Sequence, residues 1–100
     1  MDPLDQELVR GVLKGDKVWI TKFERKYRQR LLNFILQKID NYQDAEEVAQ
    51  DVLVSAIYCL PSFLGKSCLW TWLCSIAKHE IADFYRRKKI KEVLFSHFPA

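Results

Sequence analysis

Apolar residues recur at intervals of three and four along nearly the whole chain, which is the spacing of side chains that share one face of a helix. Leu8, Val9, Val12 and Leu13 form a first such stripe over about Asp5 to Lys14, with Gly15 as its stop. Asp16 then caps a long second helix to about Asp40, on which Trp19, Phe23 and Tyr27 follow at i+4 and lead on to Leu31, Phe34, Ile35 and Ile39. The other side of that helix carries Lys22, Arg25, Lys26, Arg28 and Arg30. A third helix is expected from Asp44, an N-cap with Glu47 three residues on, and Pro61 ends it. Val48, Ala49, Val52, Leu53, Ala56, Ile57 and Leu60 make its inward stripe, leaving Glu47, Gln50, Asp51 and Val54 outside. The loop from Pro61 leads to Ser67, the expected N-cap of a fourth helix running to Lys91 or beyond. Leu69, Trp72, Leu73, Ile76, Ala77, Ile81 and Phe84 face inward on it. Trp70, Thr71, Ser75, Lys78, His79 and Arg86 lie on or near its outward side. No segment alternates with period two, so the expected fold is an all-α compact bundle of about four helices. Residues 1–91 form the helical domain in this reading, and 92–100 are a C-terminal tail or the start of a linker.

Composition supports that expectation: 49% of the 100 residues are hydrophobic, with only three glycines and three prolines, enough for a packed core. Neither a membrane-spanning run nor a secretory signal is visible, so a cytoplasmic protein without a membrane partner is expected. Cys59, Cys68 and Cys74 contain no CxxC pair and fit reduced packing thiols. Cys68, Cys74 and His79 are the one conceivable metal set, but their spacing does not share a helical face well, so no metal and no cofactor are expected.

Charge changes the picture more. Residues 1–38 carry nine Lys/Arg against five Asp/Glu; residues 39–65 carry five acids and no Lys or Arg; residues 66–100 carry seven Lys/Arg against three acids. An acidic element between two basic ones suggests a cationic protein partner for the first and an anionic partner, such as nucleic acid, for the second. Ordinary solvated helix faces pairing with one another would give the same pattern. Catalytic chemistry is not visible: the glycines at 11, 15 and 65 are isolated, GxSxG and HExxH do not occur, and Glu46 and Glu47 are neighbours that diverge on a helix. The chain reads as a binding module, not an enzyme.

With the helices placed, a family resemblance emerges. Asp44-Ala45-Glu46-Glu47-Val48-Ala49-Gln50-Asp51, then Pro61-Ser62-Phe63, Gly65-Lys66-Ser67, Thr71-Trp72-Leu73, Ile76-Ala77 and Asp83-Phe84-Tyr85-Arg86-Arg87-Lys88-Lys89, together resemble region 2 of extracytoplasmic-function sigma factors. The Gly15-Asp16 turn before an aromatic helix is similar to the start of the same region.

The resemblance implies a bacterial transcription-initiation module. Its acidic third helix would dock on a coiled coil of the largest subunit of core RNA polymerase through Glu47, Gln50, Asp51 and Val54. Its final loop and helix would recognise and melt the promoter minus-ten element as single-stranded DNA through Lys66, Ser67, Trp70, Lys78, His79, Arg86 and Arg87. An anti-sigma factor is the third implied partner, and a module bound by such a regulator without productive DNA recognition is the alternative function. Many family members have asparagine where this chain has His79, which cannot copy an amide's paired donor and acceptor. A complete sigma factor also carries a helix-turn-helix domain for the minus-35 element, so the chain is expected to be a piece of one or a stand-alone region 2.

Overall fold

The computed structural model describes residues 1–98. Four α-helices follow in order: α1 (Pro3–Leu13), α2 (Lys17–Leu36), α3 (Tyr42–Cys59) and α4 (Leu69–His97), with a short 3-10 turn over Leu60–Ser62. Among the described residues there is no strand, so the all-α bundle is what the chain forms. α3 packs against both α2 and α4, while α1 packs on α2 and reaches the 3-10 turn that follows α3. The core runs through Leu8, Val12, Phe23, Tyr27, Leu31, Ile35, Ile39, Val48, Val52, Leu60, Leu69 and Leu73. Ala45, Ala49, Ala56 and Ala77 are buried among them, and their small side chains let neighbouring helices approach closely.

Boundaries moved where two capping residues competed. α1 begins at Pro3, earlier than expected, because the Asp2 carboxylate accepts the Leu4 N–H at 3.0 Å and Pro3 suits the first helical position. Gly15 ends that helix as expected, at φ +73°. The Asp16 carboxylate accepts the Val18 N–H at 2.9 Å and starts α2. α3 is capped by Asn41, not Asp44: the Asn41 side chain accepts the Asp44 N–H at 3.0 Å, and the earlier start adds Ala45 to the buried stripe. Cys68, not Ser67, is the N-cap of α4, and no side chain caps that helix end. Of the expected tail, residues 92–97 continue α4, whereas residues 99–100 lie outside the described residues. Leu13, read as part of the first stripe, is 49% exposed beside the Gly15 turn.

Two tertiary contacts fasten α1 that the apolar pattern did not reveal. Asp5 is buried, and its Oδ1 accepts from Lys26 Nζ at 2.6 Å and from the Tyr27 hydroxyl at 2.8 Å. Burial, with the Asp5 carboxylate adding to it, pushes the Tyr27 hydroxyl pKa up, so Tyr27 stays a neutral donor. Gly11 faces Trp19 so closely that a Cβ there would fall 2.0 Å from the Trp19 ring, which makes a side chain at position 11 incompatible with this packing. Removing the buried acceptor strands the Tyr27 hydroxyl, at a cost of about 1–3 kcal/mol. Asp5→Ala is therefore expected to lower the thermal midpoint by roughly 5–15 °C, and Asp5→Asn, which keeps an acceptor, by less. Equal loss in the two variants would show that the hydrogen bond to Tyr27 is not what fastens α1.

Candidate nucleic-acid and polymerase interface

The outward face of α3 is a coherent stripe. Glu47, Gln50, Asp51 and Val54 stand at i, i+3, i+4 and i+7, opposite the buried Val48, Val52 and Ala56. Glu47, Gln50 and Val54 are exposed, and Asp51 is half-buried. Tyr58, 82% exposed, continues the stripe one turn beyond Val54. Sequence reasoning passed over it, although its i+4 spacing from Val54 was a readable signal, and exposed tyrosines are favoured anchors in protein interfaces. Gln50 is tied to α2, because Arg28 donates a hydrogen bond from Nη2 to the Gln50 side-chain oxygen while also pairing with Glu24 at 3.2 Å. The amide nitrogen of Gln50 remains available to a partner.

Acidic and basic segments, far apart in sequence, meet in space. Asp44, Glu47 and Asp51 on α3 and Arg87, Lys88 and Lys91 on α4 line the two walls of a cleft of about 400 Å³, with Val48 and Phe84 in its floor. Among the described residues no ion pair joins the two walls; Arg87 pairs instead with Asp83 at 3.3 Å and Arg86 with the same carboxylate at 3.6 Å. Charges of both signs thus stand ready within one concave surface.

The second expected site is built by the loop and the first turns of α4. Phe63 packs on Trp72 with ring centroids 4.9 Å apart, which fixes the loop against the helix, and Gly65 at φ +71° turns the chain so that Lys66 is exposed. Trp72, expected in the core, is half-buried under that loop. Ser67 is half-buried, and its hydroxyl donates to the Cys68 carbonyl at 3.2 Å. Leu64, 76% exposed beside Lys66, is an apolar loop tip that periodicity could not single out.

Trp70 is not a free stacking platform. It is half-buried across α2, parallel to Tyr27 at 6.2 Å, edge-on to Phe34 at 6.2 Å, and with the Arg30 guanidinium 4.1 Å from its ring centroid. Arg30 thereby joins this surface, a residue that sequence reasoning placed only on a basic helix side. Lys78, His79 and Arg86 are exposed on one side of α4. Arg87 follows Lys78 by nine residues, about two and a half turns, so it points away from Lys78 and lines the cleft with α3. The expected set is therefore spread over several faces: Lys66 and Ser67 lie in the loop, Trp70 packs against α2, Lys78, His79 and Arg86 are on the outward side, and Arg87 lines the cleft. Among the described residues no group of three or more His, Cys, Asp or Glu side chains could hold a metal ion, and no helix is long and apolar enough to cross a membrane.

Residues 24–90 match the family described as Sigma-70 region 2. The chain belongs to that family. It is similar to the RNA polymerase sigma factor YlaC of Bacillus subtilis, at 40% identity over 63 residues, which are 63% of this chain and 36% of that protein. It is also similar to the RNA polymerase sigma-H factor of Pseudomonas aeruginosa, at 37% over 73 residues, 73% of this chain and 38% of that protein. With the ECF RNA polymerase sigma-E factor of Escherichia coli it shares 32% over 80 residues, 80% of this chain and 41% of that protein. The match thus spans well under half the length of these curated relatives. Region 2 of an extracytoplasmic-function sigma factor is what the sequence resembled, and that family consists of non-enzymatic initiation factors.

The thiols beside the loop differ sharply in environment. Hydrogen bonding with the Thr71 hydroxyl, 3.1 Å away, holds the exposed Cys68 thiol below its ordinary pKa, whereas burial pushes the Cys74 thiol up. Alkylation with iodoacetamide at neutral pH, followed by peptide mass spectrometry, is expected to modify Cys68 well before Cys74. Equal rates would show that the α4 N-terminus is not ordered as described.

Proposed function

We propose that this chain is the promoter-opening, polymerase-binding module of a transcription-initiation factor. The outward α3 stripe of Glu47, Gln50, Asp51 and Val54 docks on the coiled coil of the largest subunit of core RNA polymerase. The single observation that carries this reading is that stripe: acidic and polar side chains with one apolar position, presented on one face of a helix whose other face is packed into the core. Acids without any Lys or Arg on the same helix steer a cationic surface to it. Tyr58 extends the contact as an aromatic anchor. The work is cytoplasmic, where polymerase acts, and an anti-sigma regulator covering the same stripe would compete with polymerase.

The loop and the outward side of α4 bind the minus-ten element as single-stranded DNA. Such a strand needs cations for its phosphates and apolar or aromatic surface for its unstacked bases. Lys66, Lys78 and Arg86 supply the first over about 25 Å of helix and loop. Leu64 and the outer part of Trp70 supply the second, with Arg30 holding the indole in place. Ser67 and His79 each offer one hydrogen-bonding group to a base edge or phosphate. His79 sets this chain's base preference apart from that of relatives with an amide at that position.

Two experiments test the two surfaces separately. Glu47→Lys and Val54→Arg, combined, are expected to reduce retention of core polymerase at least tenfold while the thermal midpoint stays unchanged; Gln50 is left alone because a lysine there would face Arg28. Full retention would remove α3 as the docking face. For DNA, Lys78→Ala with Arg86→Ala should weaken binding of a minus-ten single strand and reduce the slope of log K against log salt by about 0.7 per lost phosphate contact. Arg87→Ala, at the cleft and half a turn from Lys78, should leave that slope as it is. The opposite ranking would place the strand in the α3–α4 cleft.

A further inference from the structure

The last buried residue of α4 is Ile81, and from Tyr85 to Phe98 every residue is exposed. Residues 87–91 still run beside α3 across the cleft, and roughly 9 Å of helix, over residues 92–97, projects beyond it. The projection accounts for the elongated shape, 53 × 25 × 23 Å, and for a radius of gyration of 15.8 Å where about 13 Å suits a compact chain of this length. A helical arm without tertiary packing is marginal in water, because most helix stability in proteins comes from burying an apolar face.

This arm has such a face. Ile90, Val93 and Leu94 are 51%, 58% and 50% exposed at i, i+3 and i+4, and Phe98, 66% exposed, follows Leu94 by one further turn. Cations surround the strip. Arg86 and Arg87 stand one turn before Ile90 on the same side, and Lys89 and Lys91 flank it left and right. The nearby acids do not balance them, since Asp83 is shared by Arg86 and Arg87 and Glu92 falls on the opposite side of the helix. The apolar strip begins where the region 2 match ends, at residue 90, while its cations Arg86, Arg87 and Lys91 adjoin the outward side and the cleft described above.

We infer that the α4 arm is a docking strip for an acidic amphipathic helix of a partner protein. Its apolar residues cover Ile90, Val93, Leu94 and Phe98, and its carboxylates meet Arg86, Arg87, Lys89 and Lys91. Nucleic acid would answer the cations but leave the apolar strip in water. A second copy of the chain would answer the apolar strip but bring the same cations to it. An anionic membrane would answer both, yet two to three turns of apolar surface, even with Phe95 at the edge beside Phe98, are a small face for an interfacial helix. The strip does not depend on the polymerase or DNA reading, and its test uses neither.

The full chain is titrated against a fluorescein-labelled 21-residue synthetic helix bearing a leucine stripe flanked by glutamates, and against the same helix with lysines in place of the glutamates. The acidic helix is expected to bind at least tenfold more tightly, more weakly as salt rises, and with a gain in far-ultraviolet helical signal. Val93→Gln with Leu94→Gln, neutral changes at exposed positions, should cost at least tenfold in affinity while leaving the thermal midpoint unchanged. Retained affinity in that variant would reduce the binding to bare charge and overturn the proposal. So would equal binding of the two helices, tighter capture by phosphatidylglycerol vesicles than by the acidic helix, or self-association in sedimentation that the double variant abolishes.

Discussion

α3 has to bury one face between two other helices at once, and most of the molecule's surface chemistry follows from that. Its inward positions are filled by Ala45, Val48, Ala49, Val52, Leu53 and Ala56, all but Leu53 small or β-branched, which permits close approach to both α2 and α4. With that face committed, the opposite side is left to solvent, and its central stripe carries Glu47, Gln50, Asp51, Val54 and Tyr58. A larger residue at Ala49 or Ala56 would push α2 and α4 apart and turn the stripe. The outward stripe and the core are thus two sides of one packing solution.

How much of this the sequence revealed depended on whether the determining contact was local. The α3 stripe was legible because i, i+3, i+4 and i+7 spacing is a property of one helix. The cap of α3 was not: Asn41 and Asp44 are both good caps, and what selects Asn41 is the burial of Ile39 before it and Ala45 after it. Asp5 looked like a solvated acid in an amphipathic helix, since its partners Lys26 and Tyr27 lie more than twenty residues away. Trp70 looked half outward, and only the approach of α2 shows that Tyr27, Arg30 and Phe34 occupy much of its surface.

Segregation of charge along the chain did not become segregation in space. The acidic segment and the basic C-terminal segment read as separate surfaces for separate partners, yet α3 and α4 cross so that Asp44, Glu47 and Asp51 face Arg87, Lys88 and Lys91 across one cleft. Packing of the floor residues Val48 and Phe84 dictates this, and periodicity alone does not report which turns of two helices meet. A partner arriving at α3 therefore meets both signs. Cationic groups alone would be attracted by Glu47 and Asp51 and repelled by the other wall, so a surface carrying both signs in matching order is favoured over a uniformly basic one.

The continuity of α4 ties these surfaces into one register. Leu69, Leu73, Ala77 and Ile81 anchor its first half in the core, and the same unbroken helix carries Lys78, His79 and Arg86 outward, Arg87 and Lys91 into the cleft, and Ile90, Val93 and Leu94 beyond the bundle. A helix does not allow these directions to be adjusted independently, because each residue advances about 100° and 1.5 Å from the last. Rotating α4 to bring Arg87 toward Lys78 would pull Leu73 and Ala77 out of the core. Arg86 on the outward side and Arg87 at the cleft are thus placed by the buried half of the helix, and turning Arg87 toward Lys78 would first require a different core.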